Sequence, residues 1–264
     1  EIHERLVGSE MCIRDRGDFM EKIVVCGSCC HEAVLQRYKG CGAQIDFDVP
    51  CAALQIKYDY SAAFFMPDCG DDVLRAWVGN EHLRLCADEN ALFAEMDFFF
   101  GIPQPLEIER KFLIARPAES VLSALDFCDY ADISQAYIND ESVRYRVRRR
   151  GRNGAFVYIK TQKIRISEQR RIETENRISK SEYEAAIQGQ KLLSKRRYLI
   201  LSGGKYFELD VFPFWHDVAL LEIELKDEKE PFELPAFVNA IKEVSADKSY
   251  RNSVIAQKYG VAAE

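Results

Sequence analysis

Glu107-Ile-Glu-Arg-Lys111 opens a segment that continues as Phe112-Leu-Ile114. On a β-strand successive side chains point to opposite faces. Glu107, Glu109 and Lys111 therefore share one face, and two carboxylates and an ammonium converge on it. One such strand has an ordinary explanation, a solvated polar side. Six later segments repeat the pattern. Val143–Arg150 alternates Arg144, Arg146, Arg148 and Arg150 with Val143, Tyr145 and Val147. Tyr158–Lys163 carries Lys160 and Lys163, Arg171–Ile178 carries Glu173 and Glu175, and Ser194–Ile200 carries Lys195 and Arg197. Tyr206–Phe212 sets Glu208 and Asp210 against Phe207, Leu209 and Val211. Leu220–Leu225 sets Glu222 and Glu224 against Leu221, Ile223 and Leu225.

If a sheet of such strands closes, acids and bases face each other across its interior. The apolar faces point outward under helices and the lumen is charged. Small barrels ordinarily fill their interior with side chains, so a charged lumen should hold water, metal ions or a polyanion. Hard oxygen ligands suit magnesium or manganese. The strands contain no His, which argues against zinc. Arg and Lys suit phosphate, and Arg can grip it with two parallel bonds. A carboxylate patch beside a cationic patch is what phosphoryl transfer requires. The run Arg144–Arg152 has a second reading as a nucleic-acid patch. Near-balanced charge and the lack of an aromatic platform between the arginines weigh against it.

These residues resemble the CYTH superfamily, the triphosphate tunnel metalloenzymes, which include class IV adenylate cyclases, thiamine triphosphatases and bacterial inorganic triphosphatases. Glu107-Ile-Glu-Arg-Lys111 resembles the family's E-x-E-x-K signature, Gln135-Ala-Tyr-Ile138 its Q-G-Y-L, and Arg146-Val-Arg148 its R-x-R. Phe207–Phe212 and Leu221–Leu225 resemble its paired acidic strands. Lys195-Arg-Arg-Tyr198 is similar to K-x-R-Y, and Lys242–Ser245 with Tyr250-Arg-Asn252 to its closing motif. The resemblance covers residues 106–260 and implies an α+β fold, a closed antiparallel eight-stranded barrel with a charged lumen and helices packed outside. It implies that Glu107, Glu109, Glu222 and Glu224 bind a divalent metal, Mg2+ or Mn2+, and that Glu208 and Asp210 help a second metal or position water. Glu173 and Glu175 are further metal candidates. Arg146, Arg148, Lys195 and Arg197 would hold the triphosphate, with Lys111 touching phosphate and pairing with Tyr137. Lys160 aligns without a gap to the family's T-x-K lysine and is preferred. Thr161-Gln-Lys163 has the same form, so Lys163 also stands. Ser249 replaces a frequent Arg, and Ala236-Phe237 replaces a Pro-Trp pair; both bear on substrate choice.

Helices are expected over Ala118–Phe127 after Pro117, from a Ser179-Lys-Ser-Glu182 capping box to Gly189, over Ala236–Glu243 after Pro235, and over Tyr250–Tyr259 capped by Ser249. These would cover the apolar exterior.

Composition changes before Gly101-Ile-Pro-Gln-Pro105, which reads as a linker. Residues 1–100 hold eight of the nine cysteines and 9 Lys+Arg against 18 Asp+Glu; residues 101–264 hold 27 against 25. Leu6–Arg16 resembles the in-frame translation of a sequencing-library adapter, so residues 1–16 are set aside and the natural N-terminus is expected to lie outside this sequence. Residues 17–100 read as a truncated or degenerate α/β segment, in which Ala76–Leu85 resembles the end of a P-loop kinase-like domain. The chain contains no G-x-x-x-x-G-K-[ST], so nucleotide binding of that kind is excluded here. Cys26-Gly-Ser-Cys29-Cys30-His31 with Cys41 is either half of a zinc site or a set of reduced thiols. The resemblance implies a cytoplasmic enzyme, and no apolar run reaches membrane-span length.

Two classes of function follow. One is metal-dependent hydrolysis of inorganic, nucleoside or thiamine triphosphate. The other is a non-catalytic module that binds polyphosphate or a phosphoinositide headgroup. Cyclisation of ATP is a third possibility. A small-molecule triphosphate is the expected partner, with no nucleic acid, and a homodimer is consistent with the family.

Overall fold

The computed structural model describes residues 20–102, 108–139, 144–165, 171–225 and 229–263, with side chains described except at 163–165 and 171–174. The first part is a parallel sheet. Lys22-Ile-Val-Val-Cys26 is a short apolar, β-branched run, as suits a strand covered on both faces, and it forms β1 (Lys22–Cys26). The elements that follow are α1 (His31–Arg37), β2 (Gln44–Phe47), α2 (Leu54–Asp59), β3 (Ala62–Phe65), α3 (Asp71–Trp77), β4 (Leu83–Leu85) and α4 (Glu89–Phe100). All pairings are parallel, in the order β2-β1-β3-β4. Asp88 caps α4 by accepting from the Ala91 N–H.

The two faces of β1 separate the cysteines. Ile23 and Val25 lie in one buried cluster with Cys41, whereas Val24 and Cys26 lie in another with Trp77. His31 stacks on Phe47 at 3.8 Å between ring centroids. Burial pushes the Cys26 thiol up to about 12 and that of Cys29 up to about 11. Of the two readings of this segment the reduced thiols fit the packing, because Cys26 and Cys41 lie in different layers, Cys30 is exposed, and among the described residues no three His, Cys, Asp or Glu stand together. The turn after β1 is also closed to anions. Its Gly27 and Ser28 N–H groups already donate to Asp48 and Asp68.

The second part is antiparallel. Its elements are β5 (Ile108–Ala115), α5 (Glu119–Ser123), β6 (Cys128–Asn139), β7 (Arg144–Arg152), β8 (Ala155–Arg165), β9 (Arg171–Arg177), α6 (Lys180–Ile187), β10 (Lys191–Ser202), β11 (Lys205–Val211), β12 (Val218–Leu225), β13 (Ala240–Glu243), α7 (Asn252–Tyr259) and β14 (Val261–Ala262). The ladder runs β13-β5-β12-β11-β10-β6-β7-β8-β9, with β14 on β10. Asn153-Gly154 and Gly203-Gly204 turn two hairpins, each with positive φ at both positions. That is the two-residue turn whose twist matches paired strands, and it fixes the register of β7 on β8 and of β10 on β11. The path holds nine strands rather than the eight expected. Among the described residues no ladder joins β9 to β5 or β13. The sheet is nevertheless concave on its ionic side, because bonds there skip a strand: Arg146 of β7 reaches Glu175 of β9, and Arg197 of β10 reaches Glu222 of β12.

The apolar side is covered as the alternation predicts. Phe112, Ile114, Phe207, Leu209, Leu221 and Ile223 form one buried cluster with Leu122 of α5. Tyr183 of α6 packs on Ala136, Ile138 and Val147. The Ser179 capping box is present in both directions. Three helix expectations need correction. Ala118–Phe127 is helical only over α5. Ala236–Glu243 contains β13 instead of a helix, because its backbone completes the open edge of β5. Ser249 lies inside a 3-10 turn, Lys248–Tyr250, capped by Asp247, and α7 begins after it.

The parallel part docks on the concave side through the segment between α3 and β4. Tyr206 donates to the Asn80 carbonyl at 2.8 Å, and Arg150 donates to the Gly79 carbonyl. Arg177 reaches the Tyr58 carbonyl at 2.6 Å, while Lys57 and Arg152 both meet Asp129 at 2.6 Å. Gly79 has φ +101°, and a Cβ there would stand 2.7 Å from an Asp129 carboxylate oxygen. Only glycine allows so close an approach with that backbone. No described helix is long and apolar enough to cross a membrane.

Candidate functional site

Strand register decides which side chains meet. Glu208 faces Glu222 across β11 and β12, and Glu222 faces Lys111 across β12 and β5. Glu224 faces Glu109, and Arg197 faces Asp210. On the other half, Gln135 faces Arg148, Tyr137 faces Arg146, and Thr161 pairs with both Arg146 and Glu175. These residues share the concave face. Leu113, Leu193 and Leu220 have the same strand parity as Lys111, Lys195 and Glu222, but they join Phe212, Val244 and Ile255 of α7 in an apolar cluster. One end of the ionic face is thus sealed by α7, and the docked segment of the parallel part lies at the other.

Ion pairs fill the face. Arg197 donates to Asp210 through Nε and Nη2, both at 2.6 Å, to Glu222 at 3.0 Å, and also to Glu208. Lys195 binds Asp210. Lys111 Nζ lies 2.7 Å from Glu222 and 3.0 Å from Glu109. Burial pushes Asp210 toward protonation, but Arg197 and Lys195 hold its carboxyl well below the usual carboxylate range. Glu222 is lowered in the same way by Arg197 and Lys111, against burial and Asp210. Glu208 behaves differently: burial, opposed by Arg197 and aided by Glu222, pushes it up to about 7. Glu109 is also raised, by burial and by Glu222. Burial raises the Tyr137 phenol, which accepts a 2.9 Å hydrogen bond from Gln135.

The same face carries a donor set for a divalent metal. Glu109, Glu208 and Glu222 offer hard oxygens from three adjacent strands. Their chemistry fits magnesium or manganese. As packed, their oxygens are engaged by Lys111 and Arg197, and among the described residues no three His, Cys, Asp or Glu stand together as a ready cation shell. Glu224 is drawn aside to Arg84 at 2.9 Å.

Not every expected residue is brought here. Lys160 is not. It pairs in register with Val147 on the helix-covered face, and its Nζ lies 4.5 Å from the Tyr145 ring centroid. The preference for Lys160 is corrected, because β8 presents Thr161 to the concave side. Lys163 and Glu173 are paired by backbone register, and their side chains lie outside the described residues. Glu107 lies outside them altogether.

No family model matches the chain, and no curated protein matches it. Solved structures do. The inorganic triphosphatase NE1496 is similar at 29% identity over 57% of this chain and 94% of its own, with a TM-score of 0.39. A second structure, described as the hypothetical protein NE1496, is similar at 31% over 57% and 97%, with a TM-score of 0.41. The PH1819 protein from Pyrococcus horikoshii OT3 is similar at 20% over 46% and 80%, with a TM-score of 0.32.

Four residues of the site were given no role by the sequence. Arg150 has the parity of Arg146 and Arg148 and was legible in the same alternation. Thr161 was legible only once the phase of β8 was fixed. Arg177 closes the row on β9. Glu81 comes from the parallel part, and nothing in its sequence context marks it. Its carboxylate takes two bonds from Arg148, at 2.5 and 3.1 Å, and stands 4.0 Å from Arg150 Nε.

Proposed function

We propose that the concave ionic face binds a linear triphosphate and hydrolyses one of its phosphoanhydride bonds with the help of a divalent metal. The observation that supports this best is the grip of Arg148 on a carboxylate. A buried guanidinium already holds an oxyanion by two parallel bonds, the geometry that also matches phosphate. Arg146, Arg150, Lys195, Arg197 and Lys111 extend the cationic surface on both sides. Facing them are Glu109, Glu208 and Glu222, the residues suited to a metal, which when bound would polarise the phosphoryl group. Arg197 and Lys111 would neutralise charge that develops on phosphate oxygens. Tyr137, whose phenol keeps its proton at neutral pH, can donate a hydrogen bond but not remove a proton. The apolar seal by α7 keeps one end of the face dry, which strengthens each of these interactions.

The test is phosphate release by the full chain from tripolyphosphate and from ATP, with magnesium or manganese, beside Glu222→Gln. Metal-dependent release that falls by roughly 100-fold or more in the variant supports the reading, the scale of losing one preorganised charge. A second reading has its own observation, since the candidate metal carboxylates are already paired with bases. On that reading the face holds a polyphosphate without cleaving it. Tripolyphosphate would then raise the melting temperature with no release in either metal.

A further inference from the structure

The bases of the concave face fall into two groups by partner. Lys111, Lys195 and Arg197 are paired with carboxylates of their own sheet. Arg148 and Arg150 are held chiefly from outside it, by the Glu81 carboxylate and the Gly79 carbonyl, with Glu175 of β9 farther from Arg148 at 3.8 Å, and the Arg150 guanidinium also lies 5.3 Å from the Tyr58 ring centroid. The Glu81 side chain is only 12% exposed and that of Arg148 only 6%. Burial opposes ionisation of Glu81, yet Arg148 and Arg150 keep its carboxyl well below the ordinary range, so it is an anion at neutral pH. One carboxylate does not exhaust the site. Arg148 Nε and Arg150 Nε are buried without a hydrogen-bond acceptor. A phosphate chain offers more acceptor oxygens and more charge than a carboxylate. A cavity lined by Tyr58, Glu81, Arg150, Glu175 and Arg177 adjoins the pair.

We infer that Glu81 is an internal ligand standing where one phosphate of a bound chain would be held, and that it thereby sets the chain length the site accepts. An anion short enough to be held by Lys111, Lys195 and Arg197 leaves Glu81 in place. A longer anion must displace it from Arg148 and Arg150 and undock the segment around Gly79. Glu81 is then a specificity-determining residue supplied by the parallel part. This inference rests on the proposed phosphate-binding role of the face, without requiring hydrolysis.

The experiment is calorimetric titration of the full chain and of Glu81→Gln with orthophosphate, pyrophosphate and tripolyphosphate in EDTA, which prevents turnover. Glu81→Gln keeps the side-chain size and removes the charge. The affinity ratio of tripolyphosphate to orthophosphate is expected to rise about 10-fold or more in the variant, the scale of releasing one charge-assisted pair. An unchanged ratio, with tripolyphosphate binding the unaltered chain, overturns the role of Glu81 and leaves the phosphate site standing. No binding of any of the three to either protein overturns both. Hydrogen exchange on the unaltered chain gives a second readout should the variant fold poorly. Tripolyphosphate is expected to speed exchange in residues 77–83 and orthophosphate is not. Binding of tripolyphosphate with no change there overturns the inference.

Discussion

Lys111 and Glu222 face each other in direct register across β5 and β12, with Nζ 2.7 Å from the carboxylate, and both side chains are almost fully buried. Removing one partner of such a pair leaves an uncompensated charge, which costs about 3–5 kcal/mol. Lys111→Met is expected near the lower end, about 3 kcal/mol, because Glu222 keeps Arg197. In the double variant Lys111→Met/Glu222→Gln the cost should be smaller than the two single costs added. Urea unfolding of the four proteins checks this.

Arg197 binds three carboxylates through a planar fork. Lysine keeps the charge and loses the fork, so Arg197→Lys is not conservative here. The variant should lose about 2 kcal/mol of stability, in line with hydrogen bonds to charged groups. Its kcat/KM for tripolyphosphate should fall more than its melting temperature alone would explain. Parallel kinetics and calorimetry separate the two.

Lys160 and Arg146 make opposite predictions although both belong to basic strands. Lys160 lies over Tyr145 on the covered face, a contact worth about 0.5 kcal/mol. Lys160→Ala should therefore change tripolyphosphate affinity by less than about two-fold, which is within ~0.4 kcal/mol. Arg146→Ala removes a cation 3.0 Å from Glu175 on the concave face and should weaken binding by about 10-fold or more. Titration of both variants decides the face assignment.

The docking of Glu81 should weaken in acid. Its folded carboxyl lies below the unfolded value of about 4.3. A depressed carboxylate contributes stability that is present above the unfolded pKa and lost as pH falls through the folded one. Stability of the full chain should thus drop below about pH 4.3, and the difference from Glu81→Gln should shrink over that interval. Denaturant unfolding from pH 7 down to pH 3, run on both proteins, measures that difference.

Much of the antiparallel sheet was legible because its alternation has period two. Once Phe207, Leu209 and Val211 are assigned to a covered face, Glu208 and Asp210 must lie on the other. The same logic failed for β8, where Lys160 and Lys163 differ in parity and the intervening residues do not fix the phase. There the Asn153-Gly154 turn sets the register, and Thr161 follows from it. β13 was misread because Ala236–Glu243 has tolerable helix composition, while the demand of an open sheet edge is tertiary. Glu81 was invisible for a similar reason. It meets Arg148 across 67 positions of sequence, and only the docking of one sheet on another brings them together.

The close fit at Gly79 also bears on how the molecule can be dissected. A fragment beginning at β5 would carry Arg148, Arg150 and Arg177 without the carboxylate, carbonyls and ring that cover them in the full chain. Such a fragment would present a bare basic rim and behave as an ion exchanger. It would retain nucleic acid during purification and report tighter, less selective phosphate binding than the intact protein.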